Sequence, residues 1–236
     1  MVALLRVVSK TGYVRDATSQ MARTGHKFRC AQLKRMSSDT GSTPDVLLLC
    51  GPSGAGKSTL SRLLLEEFPN KFGFSVSHTT RSLRNGEVDG VDYHFTTKEA
   101  MLQGIERGDF VEHVSIHGNM YGTSFKTLQA VHDEGKIVLL DVDMQGVRSI
   151  KSSPVNAKCA GIIPPSLEEL ESRLRGRASE TEEQLQMRLK QAVVETEFCK
   201  LDDLVDTTIV NYDSWSHTYP LLRRLVTTQW FPNYFV

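Results

Sequence analysis

Between residues 44 and 211 the apolar positions switch repeatedly between two patterns: short unbroken runs, and stripes spaced three or four apart. Val46-Leu47-Leu48-Leu49-Cys50 and Ile137-Val138-Leu139-Leu140 are unbroken, as in strands buried on both faces. Residues 57–68 place Leu60, Leu63 and Leu64 on one side, which predicts a helix. Phe74-Ser75-Val76-Ser77 and the alternating stretch 110–114 predict strands, the second half-exposed. Thr96-x-x-Glu99 predicts a capped helix ending near Gly108, and residues 124–134 a helix closed by Gly135. Residues 137–143 predict a central strand carrying Asp141 and Asp143 at its end. Residues 159–163 predict a strand stopped by Pro164-Pro165, and 207–210 a last one. Ser166-x-x-Glu169 and Thr181-x-x-Gln184 are further helix starts flanking an arginine-rich turn. Strands alternating with helices predict an α/β fold with a parallel sheet.

Residues 1–43 break this pattern. They hold eight Lys/Arg against two acids, Asp16 and Asp39, and are rich in Ser and Thr. One reading is a disordered extension, or a loosely specified start with Met21 or Met36 as later starts. The other is a mitochondrial transit peptide, which such a basic, acid-poor composition fits, although Asp16 and the lack of a clean amphipathic helix speak against it. Otherwise a cytoplasmic protein is expected. Formal net charge is zero, so the remainder is mildly acidic, which predicts no nucleic-acid partner. No apolar run nears the roughly 20 residues of a membrane-spanning helix, so no membrane partner is expected. Cys30, Cys50, Cys159 and Cys199 show no metal-ligand spacing and read as reduced intracellular thiols.

Between the first strand and helix lies Gly51-Pro52-Ser53-Gly54-Ala55-Gly56-Lys57-Ser58, followed by Thr59. It fits G-x-x-x-x-G-K-[ST], a loop whose amides and helix N-terminus cradle phosphates. Lys57 can reach the β- and γ-phosphates, and the Ser58 hydroxyl can hold Mg²⁺. The motif indicates a nucleoside triphosphate without naming an acceptor.

Arg81 and Arg84, three apart in a polar loop, can converge on one phosphate dianion, with Tyr93 and Tyr121 as neutral donors. The plain alternative is a solvated loop with incidental arginines. The run Ser77-His78-Thr79-Thr80-Arg81-Ser82-Leu83-Arg84-Asn85-Gly86-Glu87, followed by Asp92-Tyr93-His94-Phe95, resembles the GMP-binding signature of guanylate kinases. The runs 118–123, 140–147 and 181–183 are similar to that family in the same order.

The resemblance implies a P-loop kinase with a parallel-sheet core, a small mixed GMP-binding subdomain at about 77–123 and a helical lid at about 166–190. It implies Mg-ATP and GMP as substrates, giving ADP and GDP in purine nucleotide recycling. Arg81, Arg84, Glu87, Tyr93 and Tyr121 would serve the GMP phosphate, while Ser77, Glu112, Thr123 and Asp143 would read guanine. Asp141 would reach Mg²⁺ through water or support Arg81. Arg173, Arg177 and Arg188 would close over ATP with Lys57, and Asn211 would lie near adenine. The expected domain covers 44–228, leaving 229–236 as an unassigned aromatic tail, in a monomer with a dimer as the alternative. Pro220 interrupts the expected closing helix 214–228, which can instead start near Tyr219. Two rivals remain: a catalytically dead scaffold that binds peptides, disfavoured by the intact loop, and a P-loop GTPase. The latter gains from Asp143-Met144-Gln145-Gly146 but lacks an Asn-Lys-x-Asp run.

Overall fold

The structure is a computed structural model and describes residues 45–84, 86–116, 118–153, 155–176, 181–213 and 216–236. The expectations for 1–43 and for Arg177 lie outside the described residues. The strands are β1 (Asp45–Cys50), β2 (Phe72–Phe74), β3 (His78–Thr79), β4 (His94–Phe95), β5 (Phe110–Ile116), β6 (Asn119–Ser124), β7 (Ile137–Asp141), β8 (Asn156–Ile163) and β9 (Thr207–Val210). The α-helices are α1 (Lys57–Glu67), α2 (Lys98–Arg107), α3 (Phe125–Asp133), α4 (Met144–Lys151), α5 (Leu167–Arg175), α6 (Glu182–Leu201) and α7 (Thr218–Arg224).

The larger sheet is parallel throughout, in the order β2-β7-β1-β8-β9. Both faces of β1 are covered, which explains its unbroken apolar run. Leu47 and Leu49 pack with Leu60 and Leu64 of α1, whereas Val46, Leu48 and Cys50 pack with Leu128 of α3 and Val147 and Ile150 of α4. A carboxyl-terminal sheet edge forms where β1, β7, β8 and β9 end together, the usual ligand side of such a sheet. The smaller sheet is mixed, in the order β4-β3-β6-β5, and rests on α2 through Met101, Phe110 and Met120. Helices α5 and α6 pack on each other through Leu170, Leu174, Leu185 and Ala192.

Several boundaries differ from those predicted. The expected strand at 74–77 is instead a handover. The chain leaves the large sheet after Phe74, where Ser75 N–H still donates to Leu139 O at 3.3 Å, and enters the small sheet at His78. The helix expected from Thr96 is capped by Thr97, whose hydroxyl accepts from Ala100 N–H. The central strand stops at Asp141. Asp143 is already the N-cap of α4, because its short carboxylate satisfies the Gly146 amide.

Pro220 falls in the first turn of α7, where a missing N–H costs nothing, and a π-helical stretch, Leu225–Trp230, continues the chain. The aromatic tail packs on the body. Phe231 is buried, and Phe235 meets Phe68 edge-on with ring centroids 5.1 Å apart. Of the four cysteines that look scattered in sequence, Cys30 lies outside the described residues and the other three converge. Cys50 Sγ lies 3.4 Å from Cys159 Sγ and 3.7 Å from Cys199 Sγ, and all three are free and buried. Among the described residues, no helix is long and apolar enough to cross a membrane.

Candidate active site

The loop after β1 is shaped by glycines. Gly51, Gly54 and Gly56 have φ of 130°, 91° and 96°. A Cβ on Gly51 would sit 2.0 Å from the Ile162 carbonyl oxygen, so only glycine fits. Ala55 N–H bonds to Pro52 O at 3.1 Å and tightens the turn. Helix α1 starts at Lys57 with no side-chain cap, leaving its first amides to an anion. Lys57 Nζ donates to Gly51 O at 2.7 Å and Pro52 O at 3.2 Å, and lies 3.6 Å from Asp141 Oδ1. The resulting cavity is lined by Gly51, Ser53, Gly54, Gly56, Lys57, Ser58, Thr59, Asp141, Val142, Asp143 and Glu195.

Three carboxylates border this anion cradle. Burial holds the Asp141 carboxyl above its ordinary value, with Lys57 partly offsetting it. The side chain still has a face open to the cleft, but protein atoms crowd the rest of it. Burial also raises Glu195, against the hydrogen bond from Gln191 and the charge of Lys57, while Asp143 and Asp141 add to the rise. Asp143 Oδ1 accepts the Gly146 amide at 2.8 Å.

The polar face of the small sheet gathers the other predicted residues. Tyr121 and Thr123 are two apart on β6 and so share a face, and Glu112 lies opposite Thr123. Thr123 Oγ1 donates to Glu112 Oε1 at 2.7 Å, so Ser77 Oγ, 3.3 Å from Thr123 Oγ1, supplies the proton of that contact. Glu112 and Thr123 are buried. A second group centres on Arg81, held bidentately by Glu87 at 2.7 and 3.0 Å. Its guanidinium lies 5.4 Å from the Tyr93 ring centroid, and the Tyr93 and Tyr121 rings meet at 5.9 Å between centroids. Arg81 draws the Glu87 carboxyl below its ordinary value, helped by the Arg84 amide. Glu87 also accepts from Arg84 N–H at 2.8 Å, while the Arg84 side chain is exposed and does not join Arg81 here. Burial raises the Tyr93 phenol, with Tyr121 and Asp141 adding to the rise and Arg81 opposing it.

The arginines expected to act together are divided. Arg188 Nη1 donates to Ser53 Oγ at 2.8 Å, directly on the phosphate loop. Arg173 is tied to Glu169 Oε1 at 2.9 Å and to the Asn211 and Tyr212 carbonyls at 3.0 and 2.9 Å. Buried Asn211 donates from Nδ2 to Ala55 O at 2.6 Å, joining the end of β9 to the loop. Glu195 was not singled out by its sequence. The available signal was its spacing of seven from Arg188, which returns a side chain to the same helical face.

Among the described residues, no group of three or more His, Cys, Asp or Glu side chains is arranged to hold a metal ion. The cradle lining offers oxygen donors only, the Ser53, Ser58 and Thr59 hydroxyls and the Asp141, Asp143 and Glu195 carboxylates, with Ser58 in the motif position that would hold a metal. That set suits Mg²⁺, which keeps most of its waters and binds nucleotide phosphates.

The fold and cradle define a P-loop α/β protein. A family profile described as guanylate kinase matches residues 43–229. Guanylate kinase 1 of Oryza sativa subsp. japonica is 47% identical over 181 residues, covering 77% of this chain and 47% of that protein. The guanylate kinase of Homo sapiens is 48% identical over 188 residues, covering 80% and 95%. A crystal structure of guanylate kinase from Anaplasma phagocytophilum superposes with a TM-score of 0.61 at 33% identity, over 80% of this chain and 88% of that one. The chain thus spans about half the length of the plant relatives and nearly all of the human one. It belongs to the guanylate kinase family.

Proposed function

We propose that this protein transfers the γ-phosphoryl group of ATP to GMP, releasing ADP and GDP within purine nucleotide recycling. The observation that carries this reading is the presence of two candidate anion sites on one chain: the glycine cradle with Lys57, and Arg81 with Tyr93 and Tyr121. Beside the second site, the Ser77–Thr123–Glu112 chain offers a buried carboxylate. Guanine presents donors at N1 and its 2-amino group, which a carboxylate accepts. Adenine presents a lone pair at N1 and would leave the carboxylate unpaired, so AMP is rejected.

The acceptor oxygen of GMP is already anionic, so transfer needs alignment and charge neutralisation rather than a base. Lys57, the loop amides and Arg188 would hold the donor phosphates. Arg81, with Tyr93 and Tyr121, would hold the acceptor phosphate, while Glu87 orients Arg81 and Arg84 adds charge at the exposed side. Mg²⁺, held at Ser58, would supply further neutralisation of the β- and γ-phosphates. Asp143, an N-cap on the phosphate side, suits support of α4 and the cradle as well as guanine contact. Arg173 would steady the Asn211–Tyr212 turn beside adenine.

The division into 1–43, 44–228 and 229–236 is retained as part of this reading, with a monomer supported by both sites arising from one chain. The three free thiols support a reducing compartment, the cytoplasm, with the mitochondrion as the alternative if residues 1–43 direct import. A panel of nucleoside monophosphates with Mg-ATP tests the reaction. GMP should be consumed at rates at least about 100-fold above AMP; background turnover with every acceptor would overturn the assignment.

A further inference from the structure

Helix α6 buries Leu185, Ala192, Phe198 and Cys199, yet two of its charged residues turn inward while two valines stay outside. Val193 and Val194 are 47% and 48% exposed, and Met187 and Leu201 are more so, while Arg188 and Glu195 face the cradle. Packing alone gives no reason for the inward placement of Arg188 and Glu195. The inward pair is separated by seven residues, two helical turns, so one face delivers a cation to Ser53 and a carboxylate to the cavity wall. Gln191, one turn before Glu195, donates from Nε2 to its Oε1 at 3.3 Å and orients it.

Glu195 has no role in phosphate binding by itself, since it would repel the ligand the loop is built to hold. The positive charge acting on it is Lys57, which is already engaged by Asp141 and two loop carbonyls. A triphosphate entering a cradle rimmed by Asp141, Asp143 and Glu195 requires a cation between the two sets of negative charge. Among the described residues the carboxylates form no direct cage, so they would act on such a cation through its water shell.

We propose that Glu195 is a positioning residue for that divalent cation: from α6 it would hold part of the cation's water shell, as Asp141 would from the end of β7. The inference rests on the ATP-binding reading above. It gives α6 a double task, with Arg188 sensing the loop and Glu195 sensing the metal.

Calorimetric titration of ATP into the full chain, with excess Mg²⁺ and with EDTA, tests it. Wild type should bind ATP more tightly with Mg²⁺. Glu195→Gln should lose at least about fivefold of that metal-dependent gain, while metal-free ATP binds as well as before or better, because a repelling charge is gone. Steady-state turnover of the variant should need about tenfold more Mg²⁺ and recover when Mg²⁺ is raised. A wild-type metal-dependent gain in Glu195→Gln would overturn the proposal, as would an equal weakening with and without metal, which a merely structural residue would give. If Glu195→Gln lacks a cooperative thermal transition, Glu195→Ala carries the same criterion. Absence of ATP binding by wild type under either condition would instead remove the donor-site reading.

Discussion

Glu112 sits on a strand whose apolar-polar alternation makes it look like an outward-facing residue, yet it is 7% exposed and bonded to Thr123. Burying a carboxylate costs stability unless something accepts the cost in exchange for recognition. Glu112→Gln should therefore reduce the ratio of kcat/KM for GMP over AMP by about 10²-fold, since the amide can donate to adenine N1. Unchanged selectivity would remove Glu112 from base reading. Lys57 is held by loop carbonyls and Asp141 at the mouth of the cradle. Lys57→Met should lower kcat by about 10³-fold with little change in the thermal transition, as expected when one charge-stabilising donor is removed. Near-normal turnover would refute the assignment of the cradle.

At the scale of elements, Asp206 shows how the edge of the large sheet is fastened. It follows the turn after α6, accepts from Cys159 N–H at 2.8 Å and pairs with Lys151 at 2.5 Å. Burial would raise its carboxyl, but Lys151 and the Cys159 amide outweigh this and hold it below the ordinary value. A lowered folded-state pKa gives stability that is present above the unfolded value, about 4, and disappears as pH falls through the folded one. Asp206→Asn should cost about 2 kcal/mol at pH 7, with the difference in Tm from wild type shrinking below about pH 4. A pH-independent difference would assign the effect to packing.

The same scale shows what the sequence made legible. Strand β1, the glycine cradle and α1 could be read because burial on both faces, positive φ and helix periodicity each leave a local mark. The break between β2 and β3 could not, because Phe74-Ser75-Val76-Ser77 keeps a strand's alternation while crossing from one sheet to another. Asp143 was read as the end of a strand because cap and strand-end aspartates look alike without the Gly146 amide. Glu195 carries no local mark, because a lone glutamate within a helix reads as part of a solvated face and only the folded chain brings it to the cavity beside the phosphate loop. The contacts of Arg173 depend on the distant turn at Asn211, a pairing that no local pattern encodes.

At the scale of the molecule, the aromatic tail closes one face of the core. Phe235 packs against Phe68 and Phe72, and buried Phe231 joins the same core cluster. Deleting residues 229–236 should cost about 3–5 kcal/mol and lower Tm by roughly 10 °C, while leaving the KM for GMP unchanged, since the small sheet lies elsewhere. An unchanged Tm would show that the tail is dispensable to the core. The thiol trio beneath the cradle has a different consequence. Neighbouring thiols and burial push Cys50 and Cys199 far above the usual thiol range, so an alkylating reagent finds almost no thiolate while the sheet is closed. Modification must wait until β1, β8 and α6 separate. The protein thus carries an internal clock, in which the rate of iodoacetamide uptake at Cys50 and Cys199 counts excursions to the opened chain, and saturating ATP should slow its ticking.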